Sequence, residues 1–290
     1  MAELPQRGPG ADMIGRTMGL LAALSSDFGV ETVPTGWRLS GGHTRDVRRA
    51  WSFLNEDLDA LQELFGEFQG SYKVQLCGPW TLAAHVEAPT GGPALRDTGL
   101  VTDLGVALQQ AATDHVVELN RRLPMASLVL QLDEPSLPAV LDGRIPTASG
   151  FGRIPAIGTT ESAQVLAPLA QLAPAILHCC ARFPFAVAHA SRFEGFSWDP
   201  QTSGTAEEIG EAMEAGIRLI MGVVPTDRLS DVAANWAAVT SSWQRTDFVV
   251  SELRKVGFSP TCGLGASDDR VMRNVLRQLP ELVRRSRDHD

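Results

Sequence analysis

The feature that most constrains this chain is a repeated unit: a short apolar run, a turn bearing polar or glycine residues, then a longer stretch with apolar residues at helical spacing. Candidate strands lie at Lys73–Cys77, Leu128–Leu132, Ala175–Cys179, Gly195–Trp198, Arg218–Val223 and near Phe258, with another at Trp37–Leu39. Helical patterns fall at Arg45–Phe68, Leu104–Leu123, Ala206–Ala215, Leu229–Trp243 and Asp268–Arg287. In the first of these, Trp51, Leu54, Leu58, Leu61 and Phe65 share one face. Strand followed by helix, repeated, predicts a parallel sheet flanked by helices. An open doubly wound sheet and a closed barrel both satisfy that pattern. No G-x-G-x-x-G follows the first strand, and no Walker sequence is present. Polar residues instead stand at the C-terminal ends of several strands: Cys77-Gly78-Pro79, Asp133-Glu134-Pro135, His178-Cys179-Cys180 and Asp199, with Cys262 just after the last. A site assembled from many strand ends is the habit of the TIM (β/α)8 barrel. The expected fold is such a barrel, one catalytic domain over residues 1–290, with Thr90–Pro93 and Arg144–Gly158 as rim loops.

Composition narrows the function. The chain has 25 Lys and Arg against 34 Asp and Glu, a net charge of −9, which disfavours binding to nucleic-acid backbones. Hydrophobic residues make up 44%, enough for a sizeable core. No apolar run reaches the ~18 residues of a membrane span, and the first residues lack the apolar centre of a signal peptide. The expectation is a cytoplasmic protein with no nucleic-acid or membrane partner. The Arg-rich final helix, with acidic residues interleaved, reads as a solvated face.

Four cysteines, Cys77, Cys179, Cys180 and Cys262, are then buried hydrophobes, metal ligands or nucleophiles rather than disulfides. In A-I-L-H-C-C-A, strand alternation puts His178 and Cys180 on one face and Cys179 on the other. An imidazole and a thiolate so placed can pack in a core or ligate zinc. Cys262, in the turn S-P-T-C-G-L-G, and Asp199, ending G-F-S-W-D, would complete four ligands. Glu194 is a rival acid, but it precedes its strand and so belongs at the opposite end of the barrel. Cys77 and Cys179 are expected to be structural. His43, His85, His115, His189 and His289 have no usable partner spacing and read as surface or packing residues.

L-H-C-C with C-G-L downstream, Q-L-D-E-P-S-L at Gln131–Leu137 and K-V-Q-L-C-G-P-W-T at Lys73–Thr81 together resemble the catalytic domain of cobalamin-independent methionine synthase. That family uses a TIM barrel related to uroporphyrinogen decarboxylase, and the likeness runs from about Lys73 to the C-terminus. It implies a zinc-dependent homocysteine S-methyltransferase making methionine. The family's metal ligands fall on His178, Cys180 and Cys262, with Asp199 where the family has glutamate. Asp133 falls on its ligand for the homocysteine amino group, although a strand-end acid can also cap the following turn. A free thiol near pKa 8.5 is mostly protonated at neutral pH, and coordination to zinc leaves a thiolate that can attack a methyl group. The methyl donor would be methyltetrahydrofolate or a methylcorrinoid protein.

The chain departs from that family in three further respects. The opening strand with a G-S-x-P motif has no counterpart before R-G-P-G-A-D-M-I-G-R, so the expected barrel lacks its first strand. Either the true start lies upstream, or another segment or chain supplies the closure. The family's G-V-x-D-x-H is here Gly222-Val223-Val224-Pro225-Thr226-Asp227, which places Asp227 where a histidine proton donor is proposed. Asp227 could serve as the acid if burial raised its pKa. The large N-terminal half of the long members is also absent. Alternatives are another thiol methyltransferase, a metal-free decarboxylase-type enzyme on the same barrel, or a non-catalytic zinc-binding relative.

Overall fold

The computed structural model describes residues 3–288. In chain order the strands are β1 (Val30–Val33), β2 (Gly36–Leu39), β3 (Gly70–Cys77), β4 (Val86–Glu87), β5 (Ala126–Asp133), β6 (Ala175–Cys179), β7 (Gly195–Trp198), β8 (Arg218–Val224) and β9 (Gly257–Pro260). The helices are α1 (Met13–Leu24), α2 (Arg45–Phe65), α3 (Pro79–His85), α4 (Thr98–Arg122), α5 (Leu137–Leu141), α6 (Thr159–Ala170), α7 (Phe185–Ala190), α8 (Ala206–Glu214), α9 (Val232–Gln244) and α10 (Asp269–Asp288).

Local chemistry explains where helices start. The Thr44 hydroxyl accepts from the Val47 amide at the head of α2, and Asp97 accepts from Leu100 at the head of α4. Thr205 and Glu208 form a reciprocal capping box on α8. Each satisfies amide donors that a helix start leaves unpaired, worth about 1 kcal/mol apiece. Along α2 the buried residues are Val47, Ala50, Leu54, Leu58 and Leu61, one apolar stripe turned to the core.

Six strands form one all-parallel sheet in the order β3-β5-β6-β7-β8-β9. Each strand pairs with the next sheet strand in sequence, as repeated strand–helix units dictate. The sheet curls into a half-barrel with helices outside it. β5 is buried from Leu128 to Asp133, as a central strand covered on both faces must be. The (β/α)8-type barrel expected to lack its first strand is found only as this half-barrel: among the described residues β3 and β9 end the sheet and do not pair with one another. Trp37–Leu39, read as a barrel strand, belongs instead to β2 of a separate three-stranded sheet, β1-β2-β4. The reason is local: β1 and β2 pair antiparallel across a tight turn whose Gly36 has φ of 131°, so they form a hairpin.

Residues 3–8 lie across the opening between the two sheet edges. The Gln75 amide on β3 donates to the Glu3 carboxylate at 3.1 Å, and the Gln6 amide donates to the Gly265 carbonyl beyond β9 at 2.6 Å. Closure at this end therefore comes from another segment of the chain, bound through side chains rather than a strand ladder. No helix among the described residues is long and apolar enough to cross a membrane.

Candidate metal and substrate site

The strand ends of β3, β5 and β6 are tied together by backbone. The Gly78 amide donates to the Asp133 carbonyl, and the Glu134 amide to the His178 carbonyl. Glu134 is fully buried and turns away from the half-barrel interior. Its carboxylate accepts from the Trp80 amide (2.9 Å), the Thr81 amide (2.8 Å) and the Thr81 hydroxyl (2.6 Å), capping α3. A side chain on Gly78 would come within 2.3 Å of a Glu134 oxygen, so the glycine of C-G-P-W-T is dictated by the glutamate of D-E-P. The two motifs are one structural lock. Burial raises the Glu134 pKa to about 7 despite those hydrogen bonds.

Inside the half-barrel the next residue of the alternation behaves differently. Asp133 lines a cavity of about 580 Å³ together with Glu3, Lys73, Gln131, His178 and Cys262. It is buried and accepts from the Gln131 amide at 2.6 Å. Burial pushes its pKa up to about 6, with the Lys73 ammonium opposing. Burial, and then the charge of Asp133, also raise Glu3. Two carboxylates in one confined space are suited to a cationic group between them.

His178 reaches the same cavity, with Nδ1 at 3.0 Å from the Ser197 hydroxyl. Burial, then the nearby Lys73 charge, lower its pKa to about 4, so it is neutral at physiological pH. With Nδ1–H donating to Ser197, Nε2 presents a lone pair. That is the state in which histidine ligates metals, and a second partner on the other nitrogen is its usual support. Cys180, half-buried, and Cys262, exposed, stand with their sulfurs 3.8 Å apart. Their hydrogen bond pulls the Cys262 thiol down to about 6 and pushes Cys180 well above the ordinary thiol range. Two thiolates on one tetrahedral zinc, with bonds of about 2.3 Å, would have sulfurs about 3.8 Å apart. The pair offers two of the donors that zinc takes, and His178 lines the same cavity as Cys262. Among the described residues no three His, Cys, Asp or Glu side chains gather into a group that could hold a metal; the two thiols meet, and His178 does not join them as a third ligand.

The other candidates lie elsewhere. Asp199 is partly buried and accepts from the Gln201 amide at 2.8 Å, and burial raises its pKa. It lines a second cavity of about 740 Å³, with Asp227, Thr226 and Asp231, rather than the one holding His178. Asp227 is largely exposed and pairs with its neighbour Arg228 at 2.9 Å. The burial that would have made it a proton donor is missing, because the turn after β8 projects it to the rim. Glu194 is exposed at the start of β7, the end opposite the thiols. Cys77 and Cys179 are buried, with sulfurs beside the carbonyls of Gly78 and Arg182. His115 is buried, His85 bonds Ser136, and His189 packs edge-on against Phe196. His289 lies outside the described residues.

Glu3, Lys73, Ser197 and Arg218 are among the cavity residues that sequence reasoning passed over. The parity rule that paired His178 with Cys180 also puts Ser197 in line with Asp199, and Lys73 with Gln75. Glu3 carried no such signal, since nothing local says that residues 3–8 cross the opening. No protein-family model matches the chain, and no curated protein matches it.

Proposed function

We propose that the protein is a zinc-dependent methyltransferase that moves a methyl group to the thiol of homocysteine. The observation carrying this reading is the Cys180–Cys262 sulfur pair, 3.8 Å apart, at the mouth of a cavity that also holds His178, Asp133 and Glu3. His178, Cys180 and Cys262 would hold the metal, and in the tautomer whose Nδ1–H donates to Ser197 the imidazole would offer Nε2 to it. Asp199 is the candidate for a fourth position, where it would give up its turn to Gln201. Bound zinc would supply the means of deprotonating a substrate thiol at neutral pH.

The chain's own residues do the rest. Asp133 and Glu3 would receive the substrate ammonium, each held in place by a glutamine amide, Gln131 and Gln75. Asp133 is buried, which strengthens its part of that contact. The exposed, ion-paired Asp227 supplies no acid for a basic leaving nitrogen. A methylcorrinoid donor, whose leaving group needs no proton, fits this arrangement better than methyltetrahydrofolate.

The test is zinc content of protein purified without chelator, beside Cys180→Ser and Cys262→Ser, followed by methyl transfer from methylcobalamin to homocysteine. One zinc per wild-type chain, lost in both variants, with methionine formed only by the wild type, is the expected result. A folded wild type without zinc would remove the thiolate chemistry and leave a metal-free decarboxylase-type enzyme. Zinc without methyl transfer would leave a binding protein.

A further inference from the structure

Lys73 and Arg218 are the cations that line this cavity, and the reading above uses neither; Lys73 is the one whose charge reaches Asp133 and His178. It sits on β3 with Gln75 on the cavity side, while Val74 and Leu76 between and beyond them are buried on the other face. Its ammonium makes no hydrogen bond or ion pair with any other described residue, although Asp133 and Glu3 both lie within electrostatic range. Its side chain stays exposed to solvent; the protein packed around it lowers its pKa, while those two carboxylates act to keep it charged. A long flexible cation beside two carboxylates would ordinarily collapse onto one of them. Here each carboxylate is engaged on its own strand side, Asp133 by Gln131 and Glu3 by Gln75. The cavity therefore holds negative and positive groups that face one space without closing on each other.

We infer that Lys73 anchors the carboxylate of the substrate, making the cavity selective for an α-amino acid zwitterion over an amine. The ammonium goes to Asp133 and Glu3, the carboxylate to Lys73, and the thiol side chain extends toward Cys180 and Cys262. An α-amino acid carries both charges on one carbon, which is the separation an unclosed lysine–carboxylate arrangement accepts. Charge-assisted contacts are the strong class of hydrogen bond, so the carboxylate contributes affinity as well as orientation. This inference rests on the thiol-methyltransferase reading of the same site.

The experiment is calorimetric binding of three thiols to the protein as purified: homocysteine, 3-aminopropane-1-thiol, which lacks the carboxylate, and 4-sulfanylbutanoate, which lacks the amine. Wild type is expected to bind homocysteine at least about tenfold more tightly than 3-aminopropane-1-thiol. Lys73→Met should weaken homocysteine and 4-sulfanylbutanoate by about tenfold or more and leave 3-aminopropane-1-thiol within about twofold. That unchanged ligand also reports that the variant is folded. Lys73→Arg should restore part of the loss. If Lys73→Met weakens all three equally, or none, the carboxylate role of Lys73 is overturned while the site reading stands. If wild type binds none of the three, both fall together.

Discussion

Asp133 and Glu134 are neighbours in sequence, and they end in opposite environments. Glu134 sits in a buried corner where three donors, two amides and a hydroxyl, satisfy its carboxylate. Across the strand ends, Cys180 and Cys262 bond chiefly to each other, and Cys262 is exposed. The first corner is over-determined, so any change there is felt as lost stability. The second is held loosely by its own side chains and preserves unspent bonding capacity. The contrast separates what the motif D-E-P does for the fold from what it offers to a ligand.

The largest effect that can break this contrast is on the buried corner. Glu134→Ala leaves three donors without an acceptor, and Gly78→Ala forces a side chain into the carboxylate. Each should lower stability by about 3–5 kcal/mol in urea unfolding. Losses below about 1 kcal/mol would mean the corner does not hold the strand ends. Next comes pH. Glu134 has its folded pKa raised to about 7 from an ordinary 4.5, so the folded state binds its proton more tightly between those values. Stability from this group is complete below about pH 4.5 and is lost as pH rises through about 7, by on the order of 3 kcal/mol. His115, lowered to about 4 by burial, works the other way, losing stability as pH falls from 6.5. Comparing wild type with Glu134→Gln cancels the histidine. The stability difference between them should change steadily from pH 5 to 7.5, and a flat difference would contradict the buried-acid assignment.

Smaller effects sharpen the other side of the comparison. Ser197→Ala should weaken zinc or cobalt(II) binding by about tenfold, read by chelator competition, because it frees the His178 ring. Its urea midpoint should move little by comparison. Asp227→Asn should do least of all, within about 0.5 kcal/mol in stability and about twofold in homocysteine binding. A large loss there would restore the aspartate to the chemistry.

The strand ends were legible because they are governed by local rules. Ala175–Cys179 and Gly195–Trp198 match β6 and β7 to the residue, and parity alone separated Cys179 from Cys180. The helices were legible wherever an apolar stripe ran long, as in α2, and α6 escaped notice because Pro168 and small residues blur its stripe. The failures are all questions of distance. Whether six strands curl to closure depends on what lies between β3 and β9, which no window of sequence contains. Trp37 alternates like a barrel strand, yet the hairpin turn beside it decided its partner. Lys73 on an alternating strand reads as solvent-facing, and it is exposed; what no window of sequence shows is that the curl of the sheet brings Asp133 and Glu3 within electrostatic range of it. Asp227 matched a motif position, but a motif does not report how far a turn projects.

The bond between Gln6 and Gly265 joins residues 259 apart in the chain, whereas successive strands of the half-barrel pair with near neighbours. Closing so long a loop before the sheet exists would cost about 5 kcal/mol of chain entropy, and the sheet itself can be zipped up one unit at a time. Time therefore orders the assembly: the crescent of strands first, the crossing of residues 3–8 last. Glu3 arrives with that final step, so a refolding chain would acquire its thiol pair and its Glu134 corner before it acquires a complete receptor for an ammonium group.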